Sequence, residues 1–308
     1  MNKKMNIKII VTLVSLSLLI SACSLTDIID TALEFVPQTE EALPEIMEQL
    51  GEFEDLIPIE ETPVDEEPEP DEAQPTEEEM DASQDDDEDL ALDITLTERT
   101  VMLESDDPPY EIEVRYPYME GDSDAISPFN AEMDYLVEVV LEVFVGQVEE
   151  REAQRPDDAM GGISFLEMDY EVTYQSNGLY SVYLPITTYI VVSTSPWMDS
   201  FTYNYDALNQ EFLMPGNMFL PDAAYFPVML DLVEAQLVDS DFGYQEGVAE
   251  EVLMRRDNWN VMPDGLRINF DAYEVGPGAA GPQFVFIPWE ELSDMLDLDG
   301  PAGRILTD

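Results

Sequence analysis

The side chains that could do chemistry in this sequence are almost all carboxylates. The chain carries 70 Asp and Glu against 11 Lys and Arg, with no histidine and one cysteine, and its formal net charge is −59. Without histidine, no side chain titrates near neutrality of its own accord to act as general acid or base. A lone cysteine permits neither an internal disulfide nor a thiolate-rich metal site. What remains is the carboxylate pair, which suits glycoside hydrolysis, and the oxygen cluster, which suits hard cations. Asp264, Asp271 and Glu274 lie nearest a Gly-rich loop, and their expected place is a turn and a solvated strand face. Asp294, Asp297 and Asp299 before Gly300 match part of a calcium loop. Their spacing departs from the EF-hand and no Glu closes it, so a solvated helix end is expected. Gly276, Gly278 and Gly281 fit G-x-G-x-x-G after a strand. That motif holds a pyrophosphate only when it opens a helix, and Pro282 with the apolar run 284–287 predicts a strand instead. The serines have no base to activate them. The sequence therefore predicts no catalytic residue, no metal site and no cofactor.

Binding is the other chemistry to weigh. A chain this acidic is a poor partner for nucleic acid, whose phosphates need basic neutralisation. It attracts cationic proteins, polyamines or divalent cations, although an acidic surface also suits a high-salt setting. Tyr170, Tyr174, Tyr180, Tyr183, Tyr189, Tyr203 and Tyr205 fall on predicted strands, where aromatics pack well. Trp197 and Asp199 are different, because Pro196 and the surrounding residues read as a loop between long strands. They are the candidate ligand-binding residues, with capping of the core as the alternative for Trp197.

The first residues give the chain an address. Lys3, Lys4 and Lys8 precede an apolar run ending in Ile20-Ser21-Ala22-Cys23. This is a secretory signal over 1–22 with a lipobox-like end, and Cys23 is the expected lipidation site. The protein is then expected on the outer side of a membrane in the bacterial cell envelope, held through lipidated Cys23. Residues 23–91 begin with two weak amphipathic patterns and continue as a Glu/Asp/Pro-rich stretch. Such a segment cannot bury enough apolar surface to offset its ordering entropy, so a largely disordered acidic stalk is expected. The rest of the chain, as a monomer, forms the folded part.

That folded part must position the candidates. Ile94, Leu96, Val101 and Leu103 suggest a first strand, and Tyr110, Ile112, Val114 and Tyr116 alternate with charged residues in a second that ends at Pro117. Phe129, Met133, Leu136, Val137, Val140, Leu141, Phe144 and Val148 make one apolar stripe, predicting a helix from 129 to 153. Met168–Tyr174, the Asn177-Gly178 turn and Leu179–Val192 predict a hairpin, and Phe201, Tyr203 and Tyr205 a further strand. A second helix carries Tyr225, Val228, Met229, Leu232, Val233 and Leu237, and a third covers 245–254. Asp264–Ile287 supply the last strand pair, and Pro288-Trp289 opens a final helix to Met295. Helices alternating with antiparallel hairpins predict an α+β fold of mostly antiparallel sheet with two main packed helices.

The order of these features resembles the RsiV-like domain family (domain of unknown function 3298, with N-terminal partner domain 4163). The residues that carry the resemblance are Tyr116-Pro117, the hairpin from Tyr170 to Val182, Asp264-Gly265-Leu266, Asn269-Phe270, Tyr273-Glu274-Val275, the loop 276–281 and Ile287-Pro288. It implies a 4163-like strand–helix subdomain over 92–162 and a 3298-like domain over 163–308. It also implies an extracytoplasmic setting and a wall-associated partner such as lysozyme, since family members occur in a lysozyme-sensing anti-sigma factor and ahead of peptidoglycan deacetylases. The stretch 190–199 departs from the family, lacking its glycine pair and histidine. The chain has no sigma-binding or deacetylase segment. The expected function is a non-catalytic, sensor-like binding lipoprotein, with a carboxylate enzyme on wall polysaccharide or an envelope spacer as alternatives.

Overall fold

The computed structural model describes residues 92–307, apart from 156–160, 192, 194, 241–242, 245–246 and 256–257. The expected signal, Cys23 and stalk lie outside the described residues. The fold is α+β, with two sheets that are antiparallel except at one pairing.

The larger sheet starts from a long hairpin, β1 (Ile94–Asp106) and β2 (Pro109–Gly121). β2 runs through Pro117 rather than ending there. β3 (Ser164–Met168) pairs only with Tyr110–Val114 of β2, so a residue without an N–H meets no neighbour on that side. β2 and β3 are the parallel pair, and they join stretches from either side of residue 162 in one sheet. β4 (Glu171–Ser176) and β5 (Leu179–Tyr189) form the expected hairpin. Its turn has Asn177 and Gly178 both at positive φ, the conformation that an Asn-Gly pair adopts most readily. β6 (Trp197–Asp206) and the two-residue β7 (Glu211–Phe212) complete the order β1-β2-β3-β5-β6-β7, with β4 on β5.

Helix α1 (Ile126–Ala153) lies across one face of this sheet. Its buried residues Phe129, Met133, Leu136, Val137, Val140, Phe144 and Val148 are the predicted stripe, while Leu141 is only partly buried. Asn130 interrupts the stripe and is buried for a reason of its own. Its amide accepts from the Met119 N–H (2.8 Å) and donates to the Met119 carbonyl (2.9 Å), taking the place of a strand beside the uncovered end of β2.

The second sheet has the order β10-β9-β8, from β8 (Trp259–Met262), β9 (Gly265–Phe270) and β10 (Gln283–Pro288). Helix α2 (Tyr225–Val238) buries Met229, Val233 and Leu237 against it, while Val228 is exposed. Gln236 donates to the Phe286 carbonyl (2.8 Å) on β10. Helices α3 (Val248–Arg255), α4 (Trp289–Leu292) and α5 (Pro301–Leu306) close this second core. β8 and α5 are absent from the sequence reading.

The two sheets meet through amides. Asn204 on β6 donates to the Trp259 carbonyl (2.8 Å) and accepts from the Val261 N–H (3.1 Å), satisfying the edge of β8 as a strand would. Ser181, its cross-strand neighbour, accepts from Thr173 (2.8 Å), Asn260 (3.0 Å) and the Val261 N–H (3.0 Å) and donates to Asn204 (2.7 Å). Asn269 donates to Asn260 (2.9 Å) in the same layer. Arg304 on α5 reaches the fully buried Asp206 carboxylate, locking the chain's last helix to β6.

Candidate functional site

Trp197 and Asp199 stand on a strand, where the sequence predicts a loop. Thr188, Thr187 and Ile186 of β5 pair with Trp197, Met198 and Asp199, so β6 begins directly after Pro196. Asp199 is consequently only 4% exposed, and Trp197 is partly buried.

What Trp197 touches is the Gly-rich loop. The Ala272 N–H donates to the Met198 carbonyl (3.3 Å), drawing the chain after β9 along β6. Tyr273 follows at φ 75° and lays its ring beside Trp197, with centroids 5.4 Å apart and planes at 45°. On its other side the Tyr273 ring lies on Gly278, where any Cβ would overlap it. Only glycine lets backbone and ring approach this closely. Tyr273 nevertheless stays 55% exposed. The structure thus brings together the divergent stretch around Trp197 and the loop 276–281.

A second aromatic group stands on β5, β9 and β10. Tyr183 and Phe284 meet edge to face at 5.7 Å, and the Arg267 guanidinium lies 4.8 Å and 5.1 Å from their centroids. Arg267 also pairs with Glu171 at 2.8 Å. Phe284 remains 51% exposed. Burial pushes the Tyr183 hydroxyl up to about 12, with nearby Asp271 and Glu171 adding to the rise against Ser200 and Arg267. Ser200 donates to Asp271 (2.5 Å), and Glu274 accepts from the Asp271 N–H (2.7 Å). Tyr183, Arg267 and Phe284 escape sequence reasoning because they sit on three strands with unremarkable alternation, and only the pairing register unites them.

The carboxylate candidates take up local structural tasks. Asp264 lies at the opposite end of β9 from Asp271, about 24 Å away at ~3.4 Å per residue. Its carbonyl accepts from the Trp289 N–H (3.0 Å). Asp297 accepts from the Asp299 N–H (3.1 Å) and shapes the turn into α5. Among the described residues no group of three His, Cys, Asp or Glu could hold a metal ion. After Gly281 the chain enters β10, so the three glycines connect two strands and open no long helix.

Comparison with known proteins places this geometry in a class defined by its fold. Residues 216–290 match the family described as Protein of unknown function (DUF3298), a span that includes β8, β9, the Gly-rich loop and β10. A crystal structure of a DUF3298 member from Bacteroides fragilis NCTC 9343 superposes with a TM-score of 0.52 at 15% identity, covering 71% of this chain and 98% of that one. A DUF3298 protein from Pseudomonas aeruginosa PAO1 aligns at 14% identity with a TM-score of 0.41, covering 67% and 97%. The first likeness shows a shared fold. No curated protein matches the chain.

Proposed function

We propose that this chain is a lipid-anchored, non-catalytic binding or sensor-like protein of the RsiV-like kind, engaging a cationic or wall-associated partner such as lysozyme. The observation that carries this reading is the Trp197–Tyr273 pair, a partly buried indole against a Tyr273 ring that rests on Gly278 and stays 55% exposed. Rigid, half-exposed aromatics are the commonest anchors of protein interfaces. The chain's negative charge favours a basic partner and speeds its encounter. Lipidation at Cys23 would hold the domain at the membrane, with the acidic stretch 23–91 as spacer.

The test is equilibrium binding of the full chain to lysozyme and to soluble wall fragments, across a salt titration. Binding is expected at low ionic strength and is expected to weaken as salt rises. Trp197→Ala and Tyr273→Ala should each weaken it about tenfold, the loss of one interface anchor. Failure of both ligands to bind at low salt overturns the reading.

A further inference from the structure

The α1-covered face of the main sheet is closed, and its opposite face is not. Among the described residues, the small sheet meets that opposite face over β4, β5 and β6. Beyond it the pairing registers lay out a bare surface. One row runs Glu104–Glu111–Phe165–Tyr189 across β1, β2, β3 and β5. The next runs Met102–Glu113–Glu167–Thr187–Met198 from β1 to β6. Five strands at ~4.8 Å spacing make this floor about 19 Å wide.

Two features make the floor unusual for a finished surface. Glu104 and Glu111 are direct cross-strand neighbours, as are Glu113 and Glu167, and all four are exposed. Like charges in such positions destabilise a sheet. Apolar groups are also left in the open between them: Met102 is 64% exposed and Met198 is 41% exposed, with the partly buried rings of Phe165 and Tyr189 stacked at 5.5 Å beside them. The chain's own cation on this floor shows what it accepts. Arg115 spans Asp169 at 2.7 Å and Glu113 at 3.8 Å. The floor ends at Met198, whose carbonyl is bonded to the loop bearing Tyr273, so it is continuous with the aromatic pair.

We infer that this open face, from Met102 to Met198, is a docking surface for a basic polypeptide. The glutamate pairs receive Lys or Arg head groups, and the exposed methionines and stacked rings receive their aliphatic stems. The inference rests on the proposed binding role and gives its partner a chemistry and a footprint.

The experiment titrates the full chain with decalysine by calorimetry at about physiological ionic strength, and in parallel with Ca²⁺ alone. One variant carries E104Q, E111Q, E113Q and E167Q. A control of equal charge change carries E138Q, E142Q, E149Q and E150Q on α1. The floor variant should lose affinity for decalysine about tenfold or more, and the control less than about threefold. The floor variant's Tm should equal or exceed that of the wild type, since its like-charge pairs are gone. Equal losses in both variants, or no decalysine binding by the wild type, overturns the inference. So does Ca²⁺ binding lost with the floor glutamates but without a decalysine response. If Trp197→Ala and Tyr273→Ala leave partner binding intact while the floor variant abolishes it, the ring site fails and the floor stands. The reverse pattern sinks the floor alone.

Discussion

The two ends of the main sheet's solvent side are finished by different chemistry. Over β4, β5 and β6, the second sheet docks mainly through neutral groups, with Asn204, Ser181, Thr173 and Asn260 bonded in one layer and Arg267–Glu171 as a charged pair beside them. Over β1, β2 and β3, nothing docks among the described residues, and most of the exposed polar groups there are carboxylates. Asn130 at β2 and Asn204 at β8 use the same device, an amide placed against a strand edge where it donates and accepts at once. An amide can be buried without charge desolvation. A glutamate row cannot be buried unless a cation comes with it. The difference separates a permanent internal interface from a surface kept ready for something else.

The covered end breaks most easily at Asn204. Asn204→Ala takes the buried partner from the Trp259 carbonyl and from the Ser181 hydroxyl, while the Val261 N–H keeps Ser181, at about 1–3 kcal/mol for each group left unsatisfied. Loss of about 3 kcal/mol in urea unfolding is expected, and a loss below ~1 kcal/mol would show that the amide is not what joins the sheets.

A smaller effect is expected at the junction of the two ends. Gly278→Ala must displace the Tyr273 ring, at a stability cost of about 1–3 kcal/mol for overpacking. Its signature is a change in Trp197 fluorescence, and an unchanged emission spectrum would mean that the ring does not rest on the glycine.

The smallest effect concerns α1, the sheet's other cover. Burial raises the Glu138 carboxyl above its usual range, and Glu142 and Asp134 push it further. A carboxyl raised in the folded state holds its proton more tightly there than in the unfolded chain. Its stabilisation is full below the unfolded value and is lost as pH rises through the folded one. Glu138→Gln should therefore raise Tm slightly at neutral pH and flatten the pH dependence just above the ordinary carboxylate range. A Tm lowered at neutral pH contradicts this.

Legibility in the sequence followed the same division. The α1 stripe, the Asn177-Gly178 turn and the β9–loop–β10 series were readable because each pattern is local and apolar where it is buried. β8 was not, because Asn258-Trp259-Asn260-Val261 turns asparagines inward, against the usual division of polar and apolar faces. Only partners away from β8 make the burial of Asn260 tolerable: it donates to Ser181 and the Val182 carbonyl and accepts from Asn269. Trp197 and Asp199 read as a loop in sequence, since the pairing that makes them a strand is with β5 and leaves no mark next to Pro196. The open floor was invisible for a related reason. Alternating glutamates on β2 read as an ordinary solvated face until the register sets Glu104 and Glu167 beside them.

Methionine methyl groups offer the most direct test of that floor. Met102 and Met198 are exposed at its two ends, and Met214 is 53% exposed outside it, after β7. With methyl-labelled methionine in the full chain and decalysine as titrant, the Met102 and Met198 resonances should shift together and saturate while Met214 stays in place. Shifts of equal size at Met214, or none at Met102 and Met198 while binding is measured calorimetrically, would contradict a docking surface on the open face.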